Sequence, residues 1–528
     1  MLNGLRLTLL AAATAGLALP QPLGLPAAAA RQSEPREPLC RRPAPLPPLP
    51  PENPDQPEQL DERASPAVPA PVYAPPAVTV PPPPPPPPPP TPPAPAAAAA
   101  EGADVVVTGS RVERRDLTST SPLAVVTDEE YVLSGAPSAS SPPIGAPGYA
   151  APADFEPRSG QLTAGDHDDL LNPELYARYV RAAGGGLDLK GVPVLDTRHA
   201  FVVEVLDDGG RPIPFAEVTL TCADGNRLTL ATVADGTAVF FPDVDRLGGS
   251  VRVEVAKEGR RDGGNRLVPV AGRSADQRHR VRLPAGAQAA RRFDLFLAVD
   301  TTGSMGDELE FVKSELRAIL GDIGRAHPGL DIRVGLLVYR DEGDEYVTRT
   351  FPFTSRVEDI QSGVRAQRVA GGGDMPEAMD EALARAVSQD WRPDAVRALI
   401  LVADAPPHAE NMERSWAVAE AARAKRIQIV PVAASGVDDH AQFVMRGMAA
   451  LTQSRYLFLT DDSGIGNRHA EPSVDCYQVT RLDSLVRRVL ESLISGRRAE
   501  ARPQEVIRSV GNYRGGRCLL PQGWNADG

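Results

Sequence analysis

From Phe293 onward the chain alternates short apolar runs with amphipathic stretches, and this alternation narrows its possible folds more than any other feature. Strands are expected at 294–299, 332–339, 346–351, 398–403, 427–433 and 456–459. Helices are expected at 305–325, 356–364, 376–388, 412–425, 441–451 and 482–494. Such alternation implies a mostly parallel sheet with helices on both faces, a doubly wound, Rossmann-like α/β domain. A stretch of about 200 residues is enough for one sizeable core.

In open α/β sheets, ligands bind beyond the C-terminal ends of the strands. Three loops there carry oxygen donors. The first runs Asp300-Thr301-Thr302-Gly303-Ser304-Met305, after the apolar run Phe293–Val299. The second is Gly371-Gly372-Gly373-Asp374-Met375-Pro376-Glu377, whose glycines let the backbone approach closely. The third presents Asp404 ahead of Ala405-Pro406-Pro407-His408. Asp300, Thr302, Ser304, Asp374 and Asp404 are hard donors, suited to Mg²⁺, with Mn²⁺ or Ca²⁺ as alternatives, rather than zinc or copper. An Asp at a strand end can also simply cap the next helix; three such loops in order favour the metal. Asp307, Glu308 and Glu310 read as helix-start charges, and Asp341, Glu342, Asp344 and Glu345 as a solvated acidic loop.

A hydrolase reading also exists, since Ser304, Asp404 and His408 follow the chain order of α/β-hydrolase triads. Thr302 occupies the place where a nucleophile elbow needs glycine, and His408 follows Asp404 by only four residues in a Pro-Pro loop. The expectation is a protein that is not an enzyme.

Upstream the composition changes. Arg6, an apolar run from Leu7 to Leu19 and small residues at 27–30 read as a signal peptide over 1–30. The run is too short to span a bilayer, and no later segment is long enough. Most of the 55 prolines fall early, with an unbroken run from Pro81 to Pro90, so 31–100 reads as a disordered Pro-rich linker. Residues 134–160 read as a second linker, and 161–198 as a short helical region in which Asp166 and its neighbours start a helix.

Over 199–285 the period becomes two, with about seven short strands and turn signals such as Asp224-Gly225-Asn226, which suggests a small β-sandwich. The formal charge of −13, without long single-sign blocks, argues against nucleic acid as partner. Four cysteines in an exported chain allow disulfides. Cys476 and Cys518 make the favoured pair, Cys222 reads as a buried free thiol, and Cys40 has no evident partner. The tail, 496–528, is polar and Gly-rich.

Three resemblances follow from these motifs. Residues 290–495 resemble the von Willebrand factor type A (vWA) family, in a bacterial exported branch. Asp300, Thr302 and Ser304 match the first part of that family's metal-ion-dependent adhesion site, and Asp404 matches its last Asp. Asp374 stands where the family has a loop Thr. The resemblance implies recognition of a protein partner, of unknown identity, through Mg²⁺. The rival is an envelope assembly factor whose ion only stabilises the fold. The 199–285 strands resemble Ig-like or carboxypeptidase-regulatory-like modules. The segment at 101–133, with Asp104-Val105-Val106-Val107-Thr108-Gly109-Ser110-Arg111 and a second run through Val126, resembles the opening of TonB-dependent receptor plugs. It points to a Gram-negative envelope, so the expected location is periplasmic or extracellular.

Overall fold

The computed structural model describes residues 38–50, 161–189, 191–270, 278–284, 286, 288–373, 375–434, 436–464, 469, 472–521 and 524. The signal-peptide, plug-like and second-linker segments lie outside these, as does most of the Pro-rich linker.

The dominant element is a nine-stranded mixed sheet. Its parallel centre holds β9 (Arg292–Asp300), β10 (Asp331–Tyr339), β12 (Val396–Ala403), β13 (Ile427–Ala433) and β14 (Tyr456–Thr460). The sequence dictates this placement. Every residue of β12 is buried, as a strand covered on both faces requires, and its run of Val, Ala, Leu and Ile is apolar throughout save Arg397. Alternate residues of β9 feed two cores. Phe296 and Ala298 face one, with helices 173–184, 379–388, 412–424 and 439–451; Leu295, Leu297 and Val299 face the other, with helices 306–326, 357–366 and 482–495. The doubly wound expectation stands, and the expected helices all form.

At one edge the strand expected at 346–351 forms, and at the other the sheet reaches beyond the expected strands. β11 (Thr348–Thr354) pairs antiparallel with β10 at one edge. At the other, β1 (Thr163–His167) inserts antiparallel between β14 and β15 (Tyr477–Arg481), with Ala164 opposite Leu459. β16 (Arg508–Val510) closes that edge. The expected helical start at Leu162–Asp169 is therefore corrected: the segment is a buried strand, and the helix begins only at Pro173. Tertiary packing overrides the local capping signal. A Cβ on Gly165 would lie 2.6 Å from the Phe458 ring. Asp166 caps nothing, and instead pairs with Arg455 and Arg498 at 3.2 and 3.3 Å.

The sandwich contains the seven expected strands. One sheet runs in the order Thr237–Phe240, Phe201–Leu206, His279–Arg282; the other runs Arg227–Ala231, Glu217–Thr221, Ser250–Lys257, Arg260–Pro269. Alternating burial along Glu217–Thr221 and Arg227–Ala231 shows one face on the core and one in solvent. The Asp235-Gly236 turn needs its glycine, since φ is +76° and a Cβ would sit 2.8 Å from the Val205 carbonyl.

Both disulfides form among the described cysteines. Cys476 bonds Cys518, which draws the tail back onto the sheet edge. Cys222 bonds Cys40, so it is not a free thiol, and part of the expected linker is ordered. Residues 39–50 form a strap from the sandwich to the α/β domain. Cys40 and Arg41 amides donate to the carbonyls of Arg246 and Asp245. Buried Glu420 then receives both Arg41 Nη1 and the Ala44 amide, at 2.7–2.9 Å. Arg414 and Arg385 donate to the carbonyls of Pro48 and Pro50 at 3.1 and 3.0 Å. Extended Pro-rich backbone leaves its carbonyls free, and these guanidinium groups use them.

Candidate metal centre

The first loop begins where β9 ends. Asp300 is fully buried, and its Oδ1 accepts from the Thr302 amide at 2.9 Å and the Thr302 hydroxyl at 2.7 Å. The Thr302 and Ser304 hydroxyls lie 3.3 Å apart, Ser304 in the tight turn that leads into the helix 306–326. Thr301 faces inward, donating to the Tyr339 carbonyl at 2.9 Å.

The second loop is stitched to the first. Ala370 N–H donates to the Thr301 carbonyl at 3.1 Å, and Gly303 N–H to the Gly371 carbonyl at 3.2 Å. Gly371 and Gly372 adopt φ of +76° and +68°, and a side chain on Gly371 would collide with the Asp344 carboxylate. Asp374 lies outside the described residues. In the third loop, Asp404 is buried at the end of β12, and the Pro406 carbonyl accepts from the Glu377 amide at 3.0 Å.

Electrostatically the edge is under-compensated. Asp300 Oδ2, Asp404 Oδ1 and Glu377 Oε2 are buried without a hydrogen-bond partner. Burial, then the neighbouring Asp404 charge, pushes the Asp300 carboxyl up to about 7. Burial also raises Asp404, against hydrogen bonding from Ser304. Glu377 is pushed up to about 9, by burial first and then by Asp300, Asp341, Asp404 and Asp344. Acids held so far from their preferred ionised state mark a site that lacks positive charge. Among the described residues, no three His, Cys, Asp or Glu side chains form one metal-holding group; the hydroxyls of Thr302 and Ser304 are the further oxygen donors beside Asp300.

One sequence reading needs correction. The acidic loop is not uniformly solvated: Asp341 is buried and bonds His408 Nε2 at 2.6 Å. Asp344 accepts from the Gly372 amide at 3.1 Å and so braces the second loop. Although burial works against it, that bond from Asp341 holds the His408 pKa above its ordinary value. His408 is thus engaged with Asp341 rather than oriented between Ser304 and Asp404 as a triad needs. Glu308 stands in the first turn of the helix 306–326, as expected, and is only 3% exposed. Glu377 is the site residue that sequence reasoning missed. Its position after Met375-Pro376 reads as a helix start, and only the third-loop contact brings it to the edge.

This fold and edge define a vWA domain: residues 294–467 match the family model described as von Willebrand factor type A domain. Among curated proteins, alpha-protein kinase vwkA of Dictyostelium discoideum is 33% identical over 122 residues, 23% of this chain and 20% of that protein. A putative ariadne-like RING finger protein of Acanthamoeba polyphaga mimivirus is 33% identical over 124 residues, 23% of this chain and 12% of that one. The chain thus spans a fifth or less of these relatives. Among solved structures, the open conformation of the pilus adhesin SpaC from Lactobacillus rhamnosus GG matches at 13% identity and a TM-score of 0.30, covering 47% of this chain and 32% of that one. The chain contains a vWA domain, a class that commonly mediates protein–protein interaction.

Proposed function

We propose that this chain recognises a protein partner through a Mg²⁺-dependent site at the C-terminal edge of its large sheet, without catalysis. The observation that carries the reading is the pair of buried, unpartnered oxygens, Asp300 Oδ2 and Asp404 Oδ1, beside the hydroxyls of Thr302 and Ser304. Unpaired buried carboxylates are costly, and a hard divalent cation is the group that relieves them. Asp300, Thr302, Ser304 and Asp404 would hold it, with Asp374 from the second loop. When bound, the ion supplies positive charge that a partner's oxygen can share.

The test is calorimetry of Mg²⁺ and Mn²⁺ binding to the wild type and Asp404→Asn, followed by pull-down from envelope extracts with and without EDTA. Binding that vanishes in the variant, and a partner lost with chelator, support the reading; wild type that takes up neither ion sinks it. A second reading, an assembly factor with a fold-stabilising ion, draws on the full burial of Asp300. It requires partner binding to survive EDTA.

We also propose export to the periplasm or cell exterior, where two disulfides would persist. Among the described residues no helix is long and apolar enough to cross a membrane. Appearance of the full-length protein only in the cytoplasmic fraction would refute export.

A further inference from the structure

We infer that Glu377 is a resident carboxylate of the cation site, a second group besides Asp374 through which the second loop supplies charge toward the ion without help from a partner. This rests on the metal-site reading above and deepens it. Three observations place Glu377 there. Its amide donates to the Pro406 carbonyl, and residues 377 and 407 form a parallel bridge, so its backbone is fixed to the loop that bears Asp404. Its side chain lies against the glycine loop and the first loop together. A Cβ on Gly372 would meet Glu377 Oε1 and Thr302 Cβ, each at 3.2 Å. Glu377 is only 3% exposed, yet Oε2 has no hydrogen-bond partner.

A buried carboxylate that merely held loops together would be bonded at both oxygens. Glu377 is instead pinned by its backbone and left open at its acid. Gly372 suits this arrangement: its φ of +68° strains any other residue, and a Cβ there would press on both Glu377 and Thr302. Among the described residues no three acids form one metal-holding group, so Glu377 acts from behind the hydroxyls, through water or through charge. Outer groups of this kind tune cation affinity by about 10- to 100-fold. A site with its own added acid holds its cation before any partner arrives, and the partner then contributes contacts rather than the charge that completes the ion's shell.

The experiment is calorimetry of Mn²⁺ and Mg²⁺ with no partner present, on wild type, Glu377→Gln, Glu377→Asp and Asp404→Asn, with Glu342→Gln as an exposed control. Cation-free melting temperatures are recorded for each. Glu377→Gln is expected to weaken Mn²⁺ binding by about 10-fold or more while its cation-free melting temperature holds or rises. Glu377→Asp should recover most of the affinity. A merely structural residue would give the opposite pattern, lowered stability with affinity intact among folded molecules, and that result overturns the inference. So does a Glu377→Gln affinity equal to wild type when Asp404→Asn has lost binding; in that case the metal site stands and only the role of Glu377 falls. If the wild type binds no cation, both fall.

Discussion

The same residue types are treated in opposite ways at the two ends of this molecule. At the C-terminal edge of the large sheet, Asp300, Asp404 and Glu377 are buried, each with an oxygen unpartnered, and their pKa values are raised. Around the N-terminal strand and the sandwich junction, buried acids are fully matched. Asp169 is gripped by Arg446 at 2.6 and 3.0 Å, and Asp245 by Arg423 at 2.8 and 2.9 Å. Although burial works to raise it, Arg455 and Arg498 hold Asp166 below the usual carboxylate range. The junction uses its acids to join elements distant in sequence; the edge leaves oxygens of its acids unpaired, the pattern on which the proposed cation site rests.

The contrast can be broken at several points. Arg446→Ala should cause the largest loss, about 3–5 kcal/mol, because it strands Asp169 in the core; urea unfolding measures it, and a loss under about 1 kcal/mol would mean the pair is not structural. Replacing Cys40 and Cys222 together by serine should cost about 2–4 kcal/mol and increase hydrogen exchange across helix 412–424. Unchanged exchange there would show that the strap does not depend on the disulfide.

The pH dependence of the two regions should differ in sign. A carboxyl whose folded-state pKa is raised stabilises the fold while protonated. For Asp300 and Glu377 that contribution is complete below about pH 4 and is lost as pH rises through about 7 and about 9. In EDTA the protein should therefore become less stable from pH 5 to 9, and Mg²⁺ should raise the melting temperature by about 2–4 °C more at pH 8 than at pH 5. Asp166, with a lowered pKa, contributes stability above its unfolded value that is lost on acidification. Equal Mg²⁺ shifts at both pH values would remove the edge acids from the explanation. At the small end, exposed Glu342→Gln should change stability by no more than about 0.5 kcal/mol.

What was legible in the sequence follows the range of the interactions. The largely apolar runs of β9 and β12 and the period-two sandwich strands are local patterns, and both folded as read. The loop order Asp300, Thr302, Ser304, then Asp404 was legible because each follows a clear strand end. β1 was not, since Thr163–His167 is too short to show a period and owes its conformation to Phe458 and to Arg455. The strap was hidden because Pro-rich composition resembles unfolded chain, and its anchors, Glu420 and Cys222, lie about 380 and 182 residues away. Glu377 was hidden because a proline before an acid signals a helix start.

The strap has a topological consequence. Residues 38–50 are fastened to the folded body by Cys40–Cys222, and the chain re-enters that body as β1 at Thr163. The intervening stretch, polyproline run included, is therefore an excursion with two moorings rather than a leash with one. A single protease cut between 51 and 160 yields two pieces that migrate as one on a non-reducing gel and part only when thiol is added. Pulling on the chain ahead of Cys40 likewise loads the sandwich directly, and the proline-rich stretch never feels the force.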